Sequence, residues 1–169
     1  MPLLQELLAS LPQRGRVHWI GIRETRDTPM RPLDVAQVEI GRGVVGDRFQ
    51  GGVESKRQVT LIQAEHLRVL GDLLGRDAVD PALLRRNIAV SGINLLALQR
   101  ARFGIGEAIL EGTGGCHPCS RMERALGPGG FNAMRGHGGI TARVVVAGAV
   151  RVGDAVFLIA AGGLAEHER

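Results

Sequence analysis

With 169 residues and 44% apolar side chains, the chain can bury one core, and its longest apolar runs, residues 144–149 and 155–161, are far too short to cross a bilayer. Two cysteines exclude a disulfide scaffold. A net charge of +4 spread over intermingled acids and bases, with four Phe, one Trp and no Tyr for stacking, argues against a nucleic-acid partner.

The opening residues lack a basic stretch followed by a long apolar run and a cleavage site, so the cytoplasm is the expected compartment, with no membrane partner. Leu3, Leu4, Leu7, Leu8 and Leu11 recur at helical spacing and predict an amphipathic helix over residues 2–11, ended by Pro12 and lidding the core. Residues 16–23 and 33–40 read as strands around a polar loop at 27–32, and a glycine-dense loop follows at 41–52. Residues 57–63 read as a strand and 64–74 as a helix whose apolar face is Leu67, Leu70 and Leu74. Asp80 as N-cap and Pro81 in the first helical position predict a helix over 81–86 that feeds a strand at 87–90, stopped at Gly92. Strands 102–106 and 107–111 pair, residues 120–126 form a short helix, and 140–146 and 155–160 are the last strands. Residues 162–169 read as a frayed end. Short strands with turn glycines and irregularly placed helices predict one domain over 1–169, mainly β with inserted helices, folded as a closed or partly closed β-barrel rather than as alternating βαβ units.

Both cysteines lie in GTGGCHPCSRMER, residues 112–124. Cys119 falls beside the first turn of the helix at 120–126, with Arg121 and Arg124 nearby, a setting that favours a thiolate able to attack electrophiles, carry sulfur or bind a soft metal. Cys116, His117, Cys119 and His137 offer four zinc donors, but two well-separated ligand pairs are missing and His117 lies between the two cysteines. A metal-free C-x-x-C thiol-disulfide oxidoreductase is the alternative, although the motif comes late in the chain and the helix starts at the second cysteine. The loop GDRFQGG, residues 46–52, reads as an anion-binding nest with Arg48 as clamp, or more simply as a turn needing positive φ. His137, in RGHGG, is a ligand-side donor or a plain loop histidine. Arg85-Arg86-Asn87 reads as ordinary helix capping. Every basic residue except Lys56 is arginine, which suits a phosphate-bearing ligand, although a compositional bias also produces such an excess.

Taken in order, VVGDRFQGG with RQVTLIQAE, LLRRNIAVSGINLLAL, the glycine-flanked CHPC and GHGGITARVVVAGAVRVGDAV resemble the MOSC family, over about residues 44–156. That domain is found at the C-terminus of molybdenum cofactor sulfurases and as stand-alone bacterial proteins. The resemblance implies a β-barrel that binds the molybdenum cofactor, a pterin bearing a dithiolene-held metal and a phosphate. It implies Cys119 as metal ligand or sulfur carrier, Cys116 as a possible assistant, and Arg48, Arg57, Asn87 and Arg143 as cofactor-pocket residues. Members related to amidoxime reductases reduce N-hydroxylated compounds, and sulfur transfer through a Cys119 persulfide is the other role implied. His117 and His137 are candidate proton donors by their closeness in sequence. A small-molecule substrate is expected, with a separate electron or sulfur donor protein, since no ferredoxin-like cysteine set follows the barrel. Pyridoxal phosphate is not expected, because Lys56 is the only lysine and nothing around it supports a Schiff base.

Overall fold

A computed structural model describes residues 1–161, so the predicted frayed end at 162–169 lies outside the described residues. The strands are β1 (Gly15–Ile22), β2 (Arg31–Leu33), β3 (Val35–Glu39), β4 (Gly43–Val44), β5 (Val59–Gln63), β6 (Ile88–Ser91), β7 (Arg102–Ile105), β8 (Ala108–Gly115), β9 (Ile140–Val146), β10 (Gly148–Arg151) and β11 (Ala155–Leu158). The helices are α1 (Leu4–Ala9), α2 (Ala64–Leu73), α3 (Ser120–Leu126) and α4 (Gly130–Met134), with single 3-10 turns at Pro81–Leu84 and Leu95–Leu98.

Seven strands close a ring in the order β11-β7-β8-β9-β5-β6-β1, and β1 pairs back onto β11 through Gly15 with Val156 and Arg16 with Ala155. The predicted barrel is therefore closed, and closure leaves few exposed strand edges. All ring pairs are antiparallel except β5–β6, which is parallel and joined through α2 and a 3-10 turn. This one β-α-β crossover is a single inserted unit in a barrel that otherwise lacks βαβ alternation, as expected. It explains why β5 and β6 carry apolar residues on both faces: Leu61, Ile88 and Val90 point into the barrel, whereas Ile62 and Ala89 join a second cluster with Leu67, Leu70, Leu84, Met122 and Leu126. β3, β4 and β10 form a separate small sheet whose Ala36, Val38, Val44 and Val150 pack onto the barrel core.

The N-terminal helix is shorter than predicted and is not a lid. Leu3, Leu4, Leu7 and Leu8 are 55–70% exposed, while Leu11, beyond the helix, makes the contact with the core. The Glu6 carboxylate accepts from the Leu3 N–H, so the turn is capped locally without reaching the barrel. The helix expected at 81–86 is only the 3-10 turn, with Asp80 Oδ1 accepting from Ala82 N as its N-cap. Among the described residues no helix is long and apolar enough to cross a membrane.

Candidate functional site

Four chain segments that are distant in sequence meet at one end of the barrel. β8 ends at Gly115, and Cys116 then donates its N–H to the Gly139 carbonyl at 2.9 Å. Cys116 is buried, and its Sγ accepts from Arg57 Nη2 at 3.4 Å. Cys119 occupies the N-cap of α3 and is exposed, and its side chain makes no capping hydrogen bond. The thiol that is free to react is thus the second of the pair.

Arg86 fixes this geometry. Although 4% exposed, it donates through Nε to Gly138 O at 2.9 Å, through Nη1 to Leu84 O at 2.8 Å and through Nη2 to Cys116 O at 3.0 Å. Burial lowers its pKa, with neighbouring Arg57 acting the same way and the two cysteines opposing. The sequence reading of plain capping captures only the bond to Leu84. Gly138 and Gly139 are required where they stand: a Cβ on Gly138 would run into Cys116 O, and Gly139, at φ +83°, would run into Leu61 O.

Loop 46–52 comes to the site from the other side. Asp47 Oδ1 accepts from Arg23 N, and Arg48 N donates to Arg23 O, each at 2.8 Å, so the end of β1 holds the loop in place. Gly46 has φ +91°, as the turn reading requires, and Arg48 also lines the cavity, as the clamp reading requires. Buried Gln58 secures the preceding glycine loop, accepting from Gly41 N and Val144 N and donating to the carbonyls of Val53 and Ser55, all at 3.1 Å. No sequence signal marked it.

These segments surround a cavity of about 670 Å³ lined by seven arginines, Arg23, Arg26, Arg48, Arg57, Arg85, Arg86 and Arg121, of which Arg86 is buried and spent on the three carbonyls. Among the described residues its only carboxylates are Asp47 and Glu24, the latter already paired with Arg31. No ion pair among the described residues involves any of the seven arginines. Burial, then repulsion from Arg23 and Arg121, brings Arg85 down to about 10, against the pull of Cys119. Arg23 is lowered by burial and by Arg48, and its Nε is buried without a partner. So much uncompensated positive charge in one concavity suits an anion.

Of the residues picked out from sequence, Cys119, His117, Arg48, Arg57 and Asn87 line the cavity together. Asn87 nevertheless spends its side chain on the fold: Oδ1 accepts from Thr60 N and Oγ1, and Nδ2 donates to Gly21 O. Arg143 does not reach the cavity. Its neighbours Ala142 and Val144 point into the barrel, so Arg143 points out and pairs with Glu111 at 2.8 Å, beside Arg102. His137 is also outside the cavity lining. Its Nδ1 lies 2.9 Å from Ala133 O, and its ring meets His66 edge-on at 4.8 Å. Sequence reasoning missed Arg23 and Arg26, and it missed the place of Arg85 and Arg86 in the cavity lining. The Arg85-Arg86 doublet before a buried strand was the available signal.

Residues 45–157 match the MOSC domain family. Solved structures with the same fold include the YuaD protein of Bacillus subtilis, at 22% identity and TM-score 0.72, covering 87% of this chain and 97% of that one. YiiM from Geobacillus stearothermophilus aligns at 17% identity and TM-score 0.70, over 89% and 78% of the two chains. YiiM from Escherichia coli aligns at 18% identity and TM-score 0.67, over 86% and 70%. Among curated proteins, none matches the chain significantly by sequence.

Proposed function

Because the chain belongs to the MOSC domain family, we propose that its arginine-lined cavity holds the molybdenum cofactor, with Cys119 as the protein's ligand to the metal. The observation that carries this reading is an exposed thiol on the wall of a cavity whose seven arginines have no ion-pair partner among the described residues. The donor set fits the cofactor. Thiolate is a soft ligand suited to molybdenum. Among the described residues no group of three or more His, Cys, Asp or Glu is placed to hold a metal, so a metal at Cys119 would have to bring its other ligands, as a dithiolene-bearing pterin does. Arg48 and Arg57 are the residues to grip the pterin's phosphate.

When bound, the cofactor supplies two-electron redox chemistry, its electrons delivered by a separate donor protein. The chain's own residues bind, orient and protonate. Arg86 holds the Cys116–Cys119 segment in register with the cavity, and the arginines fix the anionic end of the ligand. Reduction of an N-hydroxylated compound to the amine and water takes two electrons and two protons. His117, on the cavity wall and exposed, is placed to give one proton to the departing oxygen, and solvent gives the other. Exposure of Cys119 beside buried Cys116 also supports a second reading, in which the Cys119 thiolate takes sulfane sulfur from the persulfide of a donor protein, leaving that donor a thiolate, and gives it to a nucleophilic acceptor, returning to the thiolate itself.

The test is the molybdenum and pterin content of protein purified anaerobically from a host that makes the cofactor. Near-stoichiometric molybdenum in wild type and Cys116→Ala, lost in Cys119→Ala, supports the reading. Well-folded wild type that stays free of molybdenum and pterin after reconstitution sinks it, and leaves sulfur transfer or metal-free dithiol chemistry to be assayed.

A further inference from the structure

The arginine cluster continues past the cavity that holds Cys119. A second recess of about 360 Å³, lined by Arg26, Asp27, Arg85, Arg121, Arg124 and Ala125, opens beside it and shares Arg26, Arg85 and Arg121 with it. Among the described residues four arginines line it with a single carboxylate, Asp27, and no ion pair involves any of the four. The recess is within the size range of small-molecule sites. Nothing in the reading of Cys119, Arg48 and Arg57 uses it.

Arg85 stands at the junction of the two recesses. Its backbone is left-handed, with φ 62° and ψ 23°, and it is the only non-glycine residue of positive φ among those described. Side-chain-bearing residues adopt that region at a cost, and such strain collects at ligand sites. Here it sets a guanidinium between two concavities, in mutual repulsion with Arg23 and Arg121. One phosphate would neutralise one end of this row and leave Arg124 and its neighbours unanswered.

We propose that the outer recess is a second anion subsite, so that the whole site takes a ligand carrying a diphosphate, one phosphoryl group on the Arg48 and Arg57 side and the next held by Arg121 and Arg124. The proposal extends the anion-binding half of the function above and does not depend on molybdenum. A diphosphate reaches such a site either as the nucleotide end of a larger cofactor or as a diphosphorylated small molecule. Bidentate arginine contacts serve both.

The experiment is calorimetric titration of metal-free, full-length protein at low salt with inorganic phosphate, inorganic pyrophosphate and guanosine diphosphate, in wild type and Arg124→Gln. Pyrophosphate should bind about tenfold more tightly than phosphate. Arg124→Gln should weaken pyrophosphate about fivefold and leave phosphate within about twofold, because a single phosphate goes first to the Cys119 cavity, with seven arginines in its lining against four in the outer recess, and Arg124 lines only the latter. Guanosine diphosphate binding more tightly than pyrophosphate assigns the subsite to a nucleotide, and equal binding assigns it to a diphosphorylated small molecule. Equal affinity for phosphate and pyrophosphate in wild type, or an equal loss of both in Arg124→Gln, overturns the proposal. The molybdenum measurement on Cys119→Ala can fail without touching these titrations, and they can fail without touching it.

Discussion

Arg86 Nη2 donates to the carbonyl oxygen of Cys116 at 3.0 Å, while Nε of the same guanidinium holds Gly138 O at 2.9 Å. One buried cation thereby ties the turn before β6 to both the cysteine segment and the glycine loop before β9. Replacing it with methionine keeps most of the volume and leaves three buried carbonyls unanswered. Arg86→Met should lose about 3 kcal/mol of stability, read as a lower urea midpoint, and Arg86→Lys should not rescue it, because the three donors of an ammonium radiate from one nitrogen whereas the three carbonyls are spread around three nitrogens of a planar guanidinium.

Gln58 has no part in the cavity's charge, yet its side chain bridges Gly41, Val144, Val53 and Ser55. Gln58→Leu should cost about 3 kcal/mol, and limited proteolysis should then cut within residues 41–55 faster than elsewhere. Unchanged cleavage there would show that the loop does not need this side chain.

Arg57 and Arg143 separate the cavity from the barrel's outer face. Arg57→Gln should lower cofactor content, or phosphate affinity of the metal-free protein, by about tenfold. Arg143→Gln should change neither, and should cost less than about 1 kcal/mol because its pair with Glu111 is partly exposed. A loss of binding in Arg143→Gln would restore the pocket role that the family resemblance implied.

Burial, reinforced by His137 and opposed by Glu65, holds His66 below its ordinary value of 6.5. Between the folded and unfolded values the unfolded chain binds a proton that the folded protein does not. The stabilisation from neutral His66 is therefore complete above about pH 6.5 and is lost as pH falls through the lowered folded value. Thermal midpoints taken downward from about pH 7.5 should show this fall, and His66→Phe, which keeps a ring against His137, should flatten it.

Glu111 titrates with the same sign for a different reason. Hydrogen bonds from Arg102 and Arg143 hold it below the usual carboxylate range, so its contribution is present above the unfolded value and lost as pH falls through the folded one. Glu111→Gln should remove a shallow acid-side slope of less than about 1 kcal/mol in denaturation curves collected at about pH 3 to 5.

Local patterns carried the parts of the fold that local forces decide. The helix at Ser120–Leu126 and the strand at Ile140–Val146 stand where their own residues put them, and the closed barrel followed from strand spacing. β2, β4 and β10 escaped because each is short and exists through pairing with a distant or neighbouring strand rather than through its own alternation. The same division holds at the site. Cys119 was visible from its motif, whereas Arg143 and His137, though inside family-like segments, are turned away by strand alternation and by a contact with His66. Arg23 and Arg85 became neighbours only when the end of β1 met the turn before β6.

The left-handed backbone at Arg85 sets what the protein gives up for its ligand. Glycine there would relax φ 62° and remove one charge from a self-repelling set, so Arg85→Gly should melt higher than wild type while binding anions less well. At this position, resistance to heat and readiness for a ligand pull in opposite directions, and the chain keeps the arginine.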